Sequence, residues 1–108
     1  MNNIKNAIIK SVEIEIEDHG LLTVWLMLDY GDSTSQGFGG WCLYNEYFPK
    51  NDRAGRFIQR ILDVVGVRNW NDLSGKTIRV RGSGTGVDAI GHIIKDDWFE
   101  PSKDMLTQ

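Results

Sequence analysis

Ile8-Ile-Lys-Ser-Val-Glu-Ile-Glu-Ile-Glu-Asp-His-Gly-Leu-Leu-Thr-Val-Trp-Leu-Met-Leu-Asp-Tyr30 carries two alternating runs around a turn, and its reading decides the fold. In the first run Val12, Ile14 and Ile16 point one way, while Glu13, Glu15 and Glu17 point the other. A strand sets successive side chains on opposite faces, so the spacing predicts a half-buried strand over residues 8–17 with a solvated acidic face. In the second run Leu22, Val24, Leu26 and Leu28 line one face and Thr23, Trp25 and Met27 the other, which predicts a strand from Leu21 to Tyr30. Asp18-His19-Gly20 tolerates the backbone of a tight turn, so the two runs read as a hairpin.

The stretch Asp29-Tyr-Gly-Asp-Ser-Thr-Ser-Gln-Gly-Phe-Gly-Gly-Trp41 follows, with four glycines in 13 residues. Glycine weakens strands, so this reads as a loop in which something packs closely near Phe38 and Trp41. A third strand is expected over Gly39 to Tyr44, then a turn over Asn45 to Asn51 with Pro49 barring regular structure. Asn51 or Asp52 can cap a helix with an apolar stripe of Phe57, Ile58, Ile61, Leu62 and Val65, closed by Gly66. Trp70 to Leu73 is a short connection. A fourth strand spans Lys76 to Arg81, the hairpin loop Gly82-Ser-Gly-Thr-Gly86 follows, and a last strand covers Val87 to Ile94. The order β-β-β-α-β-β is that of an OB-like five-stranded barrel. A curved antiparallel sheet packed on one helix is the alternative. Residues 1–108 read as a single domain, with an ordered core over about 4–101 and a frayed tail over 102–108.

With 41% apolar and 25% charged residues the composition is that of an ordinary soluble protein. No apolar run approaches a membrane span, and the first residues lack the apolar core of a signal peptide. The lone Cys42 sits among apolar neighbours and reads as a small buried hydrophobe. A cytoplasmic location is the expectation. Charge is unevenly spread: residues 1–48 carry −5, residues 49–95 carry +5 and residues 96–108 carry −3. Such a chain can present a basic face to a polyanion, or neutralise itself across the fold.

The glycine-rich loop leads into a strand without a following Lys and Ser/Thr pair, which argues against a phosphate loop. His19 and His92 lie outside any metal-ligand spacing, and Asp29 and Asp32 supply too few oxygens for a hard cation. No nucleophile, base and orienting residue assemble into a catalytic set. The expectation is a non-enzyme without a cofactor. The aromatic residues point elsewhere: four Trp, three Tyr and four Phe exceed what a small core needs. Trp25, Trp41 and Tyr44 could stack bases of a single strand while Lys76, Arg79 and Arg81 meet phosphates. Phe38 belongs to the same candidate surface. Alternatively, Trp25 and Trp41 belong to a core. The acidic strand face of Glu13, Glu15 and Glu17 is the candidate surface for a basic protein partner. A spare aromatic face could equally close a homodimer.

Ile16-Glu-Asp-His-Gly20, Leu28-Asp-Tyr-Gly31, Gln36-Gly-Phe-Gly-Gly40, Trp70-Asn-Asp-Leu-Ser-Gly-Lys76 and Ile90-Gly-His-Ile93 together resemble a family of small uncharacterised proteins of tailed bacteriophages and prophages. The resemblance spans residues 7–101. It implies a phage or prophage product in a bacterial cytoplasm, and it transfers no functional residue. The run from Trp70 to Val80 is also similar to the approach to the fourth strand in phage OB-fold single-strand binding proteins. Two functions are therefore expected: a module binding single-stranded nucleic acid, or a protein-binding inhibitor of a host enzyme or anti-phage defence complex.

Overall fold

The computed structural model describes residues 3–18, 20–41, 43 and 53–105. Strand β1 (Asn3–Ile16) is followed by β2 (Leu22–Asp29), β3 (Ser35–Gly39) and helix α1 (Arg53–Val65). A 3-10 turn at Trp70–Asp72 leads to β4 (Thr77–Ser83), β5 (Gly86–Gly91), β6 (Trp98–Phe99) and helix α2 (Pro101–Asp104). All strand pairs are antiparallel, in one six-stranded sheet of order β3-β2-β1-β4-β5-β6.

The hairpin read from residues 8–30 forms, with Glu13 opposite Trp25 and Ile14 opposite Val24, but the expected half-burial reaches only Val12, because Ile14 and Ile16 run past the core and are 45% and 72% exposed. Strand β1 is longer than its alternation suggested. Asn3 to Ile8 pair with β4, Ile8 to Ile16 pair with β2, and the register breaks between Ile9 and Ser11. One strand thus serves two neighbours that diverge along its length, and such a bulge bends the strand.

The third strand is displaced from its expected place. It occupies Ser35–Gly39, within the glycine-rich stretch, rather than Gly39 to Tyr44. The chain turns tightly first: Asp29 Oδ1 accepts from Gly31 N at 2.8 Å and Tyr30 N donates to Thr34 O at 3.1 Å. Pairing with β2 runs to Gly39, and Gly40 N and Leu43 N continue it loosely onto Val24 O and Leu22 O. The expected strand residues Cys42 and Tyr44, the turn at 45–50 and the candidate caps Asn51 and Asp52 lie outside the described residues.

Among the described residues no closed five-stranded barrel forms. The sheet has six strands and is open, which matches the alternative of an antiparallel sheet packed on a helix. Part of the reason lies in residues 98–99, where no strand is expected: β6 takes the far edge of β5 by pairing Ile90 with Phe99 and Gly91 with Trp98. Strand β5 stops at Gly91 rather than Ile94, because His92 begins a turn closed by His92 N on Asp97 O. Its Nδ1 accepts the backbone N–H groups of Ile94 and Lys95. Ser102 to Asp104 lie in α2 and Met105 is buried, so the expected fraying does not begin at 102.

The core lies between the inner face of the sheet and α1. Ala7, Ile9, Val24, Leu26, Leu28, Ile78, Val80 and Ile90 face Phe57, Ile61 and Val64 of the helix. Helix α1 ends as expected at Gly66, whose φ of 87° lets Gly66 N and Val67 N fold back onto Leu62 O. At the centre three phenylalanines meet. Phe38 from β3 stacks on Phe57 of α1 at 5.9 Å, and Phe99 of β6 stands edge-on to both at 6.0 and 5.1 Å. In a flat sheet β3 and β6 would lie roughly 24 Å apart, five spacings of about 4.8 Å. Ring contact between them means that the sheet curls around the helix.

Removing the central ring should therefore loosen both ends of the sheet at once. Phe57→Ala is expected to lower unfolding free energy by about 3–5 kcal/mol in urea titrations, and Phe57→Leu by distinctly less.

Candidate functional site

The outer face of β1, β2 and β3 gathers three of the residues singled out in the sequence: Trp25, Glu13 and Glu15. Trp25 is half-buried and Met27 exposed on β2, while Glu13 and Glu15 are exposed on β1. Glu13 sits directly opposite Trp25, and directly opposed residues of an antiparallel pair share a face. Ile8 also points outward, between the buried Ala7 and Ile9. Glu17 falls just past the end of β1 and is half-buried, with its carbonyl accepting from Gly20 N. The acidic face is therefore two residues long on the strand itself.

The glycines of β3 explain how Trp25 lies. A Cβ on Gly37 would come within 3.0 Å of the indole, and one on Gly40 would overlap it. Gly40 also has φ 79°, so both its backbone and its lack of a side chain are required. The close-packing partner expected for the glycine-rich stretch is the chain's own Trp25. Phe38 is the opposite case to the one expected: it points inward, 1% exposed, and belongs to the core trio rather than a partner surface. Trp41 is 40% exposed. Tyr44 lies outside the described residues.

The basic candidates lie on the other half of the sheet. Arg79 and Arg81 of β4 place their guanidinium groups 4.9 and 4.8 Å from the Trp98 ring centroid. Arg79 further donates to His92 O at 2.7 Å and Lys95 O at 2.6 Å, and Arg81 pairs with Glu100 at 2.7 Å. Beneath Trp98 lies Gly91, where a Cβ would come within 2.7 Å of the ring. These arginines clamp a second tryptophan onto a second glycine. Lys76 is exposed just before β4. The structure thus brings Trp25, Glu13 and Glu15 together and separates them in strand order from Arg79 and Arg81.

A cleft of about 310 Å³ opens where β3 meets the β4–β5 hairpin without a ladder. Lys5, Tyr30, Ser35, Gln36, Ser83 and Gly84 are among its walls. Tyr30 Oη donates to Gln36 Oε1 at 2.6 Å, and Gln36 Nε2 donates to Ser83 O at 3.0 Å. The Lys5 ammonium lies 5.1 Å from the Tyr30 ring centroid. Partial burial pushes the Tyr30 phenol above its ordinary range. Asp32, held foremost by the Thr34 hydroxyl, is more acidic than usual. Sequence reading missed this site because its walls come from separated segments that carry no common motif.

Among the described residues no group of three His, Cys, Asp or Glu could hold a metal, and no helix is long and apolar enough to cross a membrane. Asp29 and Asp32 direct carboxylate oxygens to Gly31 N and Thr34 N, as turn formers do. Comparison with protein-family models, curated proteins and solved structures returns no match.

The packing roles of the glycines separate in a substitution series. Gly40→Ala and Gly91→Ala should each lower stability by about 1–3 kcal/mol, with red-shifted tryptophan emission as an indole is displaced. Gly55→Ala, in the helix with open space around it, should raise stability by about 0.5–1 kcal/mol in the same urea titration.

Proposed function

We propose that this chain is a non-enzymatic binding module of phage or prophage origin, acting in a bacterial cytoplasm, that docks on a basic protein surface through the outer face of β1–β2–β3. The observation that carries the reading is the register of Glu13 opposite Trp25. Apolar Trp25 and Met27 with carboxylates beside them suit a partner whose lysines or arginines surround an apolar contact. Carboxylates beside the indole also repel phosphates from the place where a base would stack. The arginines expected to track phosphates are engaged instead with Trp98, Glu100 and two backbone carbonyls. A host enzyme or anti-phage defence complex is the class of target that such a phage module would inhibit or modulate.

Single-stranded nucleic acid is the second reading, and one observation favours it. The neighbour order β3-β2-β1-β4-β5, with a helix between β3 and β4, is that of an OB-like barrel lacking its closing ladder. In that reading Trp25 and Trp41 stack bases.

Charge reversal separates the two. Glu13→Lys/Glu15→Lys should release a basic protein that the unaltered chain retains from bacterial lysate, and labelled single-stranded DNA or RNA should not bind at micromolar protein and low salt. Oligonucleotide binding that weakens steeply with salt, strengthens on charge reversal and falls in Trp41→Ala would establish the second reading and reject the first.

A further inference from the structure

The cleft between β3 and the β4–β5 hairpin shares no residue with the face assigned above, and it has features that packing alone does not explain. Its position is one: it lies at the seam between strands that no ladder joins, bridged by Gln36. Gln36 has its amide orientation fixed from both ends, by Tyr30 Oη and by Ser83 O. The wall is therefore built and held before anything binds.

Gly84 is the second feature. A Cβ there would meet nothing within 4 Å, and its φ lies outside the left-handed region. Without a side chain, Gly84 leaves its main chain bare to whatever enters the cleft. The third is charge. Lys5 supplies an ammonium over the Tyr30 ring, and the nearby Asp32 is turned onto its own loop by Thr34 N and the Thr34 hydroxyl. Ser35 adds a hydroxyl to the wall, and Val80 and the Tyr30 ring give it an apolar side.

We infer that this cleft binds a small phosphate monoester, with Lys5 on the phosphate and the body of the molecule lying between Tyr30 and the main chain of Gly84. The volume of about 310 Å³ is at the lower end for small-molecule sites, which suits a sugar phosphate or a single nucleotide. Lysine serves phosphate as a point charge, and the serine and main-chain groups around it add directional contacts. The monoester can be free in solution or stand at the end of a nucleic-acid strand.

The test is a titration of the full chain, followed by amide chemical shifts, with inorganic phosphate, ribose 5-phosphate, thymidine 5′-monophosphate and a 5′-phosphorylated oligonucleotide. A monoester should give saturable shifts centred on Lys5, Tyr30, Ser35 and Gly84, with a dissociation constant of about 1 mM or tighter. Lys5→Gln and Gly84→Leu should each weaken it by about tenfold or more. Both variants should keep the wild-type melting temperature within a few degrees, since Lys5 and Gly84 are exposed. Tighter binding of the oligonucleotide than of the mononucleotide identifies the strand end as the source, and the reverse identifies the free nucleotide. Absence of saturation by about 10 mM, equal affinity for inorganic phosphate, or binding unchanged in Lys5→Gln overturns the inference.

Discussion

Three phenylalanine rings hold this architecture together, because they come from the two edges of the sheet and from the helix between them. Phe38 on β3 and Phe99 on β6 stand at opposite ends of the strand order, yet both touch Phe57. Closing a sheet normally relies on a ladder of backbone hydrogen bonds between its edges. Here the edges approach through side chains, offset-stacked and edge-on, the arrangements that aromatic quadrupoles favour. The bulge between Ile9 and Ser11 makes that curl possible, and the apolar stripe of α1 fills it. The seam left without a ladder is where the cleft opens.

The outer surface of the sheet repeats one device on its two halves. Trp25 lies over Gly37 and Gly40, and Trp98 lies over Gly91. In each case a large flat ring covers backbone that has no side chain of its own. The halves then differ in what flanks the ring: carboxylates beside Trp25, guanidinium groups over Trp98. That difference separates a covered structural surface from a face with groups left to offer. Arg79, held by a ring and two carbonyls, and Arg81, held by a ring and a carboxylate, have little to give a phosphate, whatever their place in the alternation.

Much of the fold was legible because it rests on local patterns. The β1–β2 hairpin, the stripe and cap of α1 and the strand around Ile78 and Val80 follow from periods of two and 3.6. The failures have physical causes. The first residues of β1 carry no apolar alternation, since Ile4 points outward and Lys5 lines the cleft. Strand β3 was hidden by glycines that normally disrupt strands, and whose reason is an indole on the neighbouring strand. Strand β6 is two residues long, below what periodicity detects. At the site, Trp25 and the acidic face were legible as outward positions, but Phe38 and the engagement of Arg79 and Arg81 depend on partners distant in sequence. A glycine facing a tryptophan, such as Gly91 before Trp98, is the signal that pattern reading passed over.

The sheet's borders bear on the chain's behaviour at high concentration. An open sheet exposes unpaired backbone groups that invite another chain to add a strand, the route to fibrillar aggregation. Here one border is only Trp98 and Phe99, followed within two residues by Pro101, which has no N–H to donate. The other is five residues long, two of them glycine, and its Gln36 is tied across the seam to the hairpin. Neither border offers a long, flat, apolar template. The border left to an incoming strand is the far half of β1: among the described residues Ser11–Ile16 pair only with β2, and Ile14 and Ile16 are exposed there.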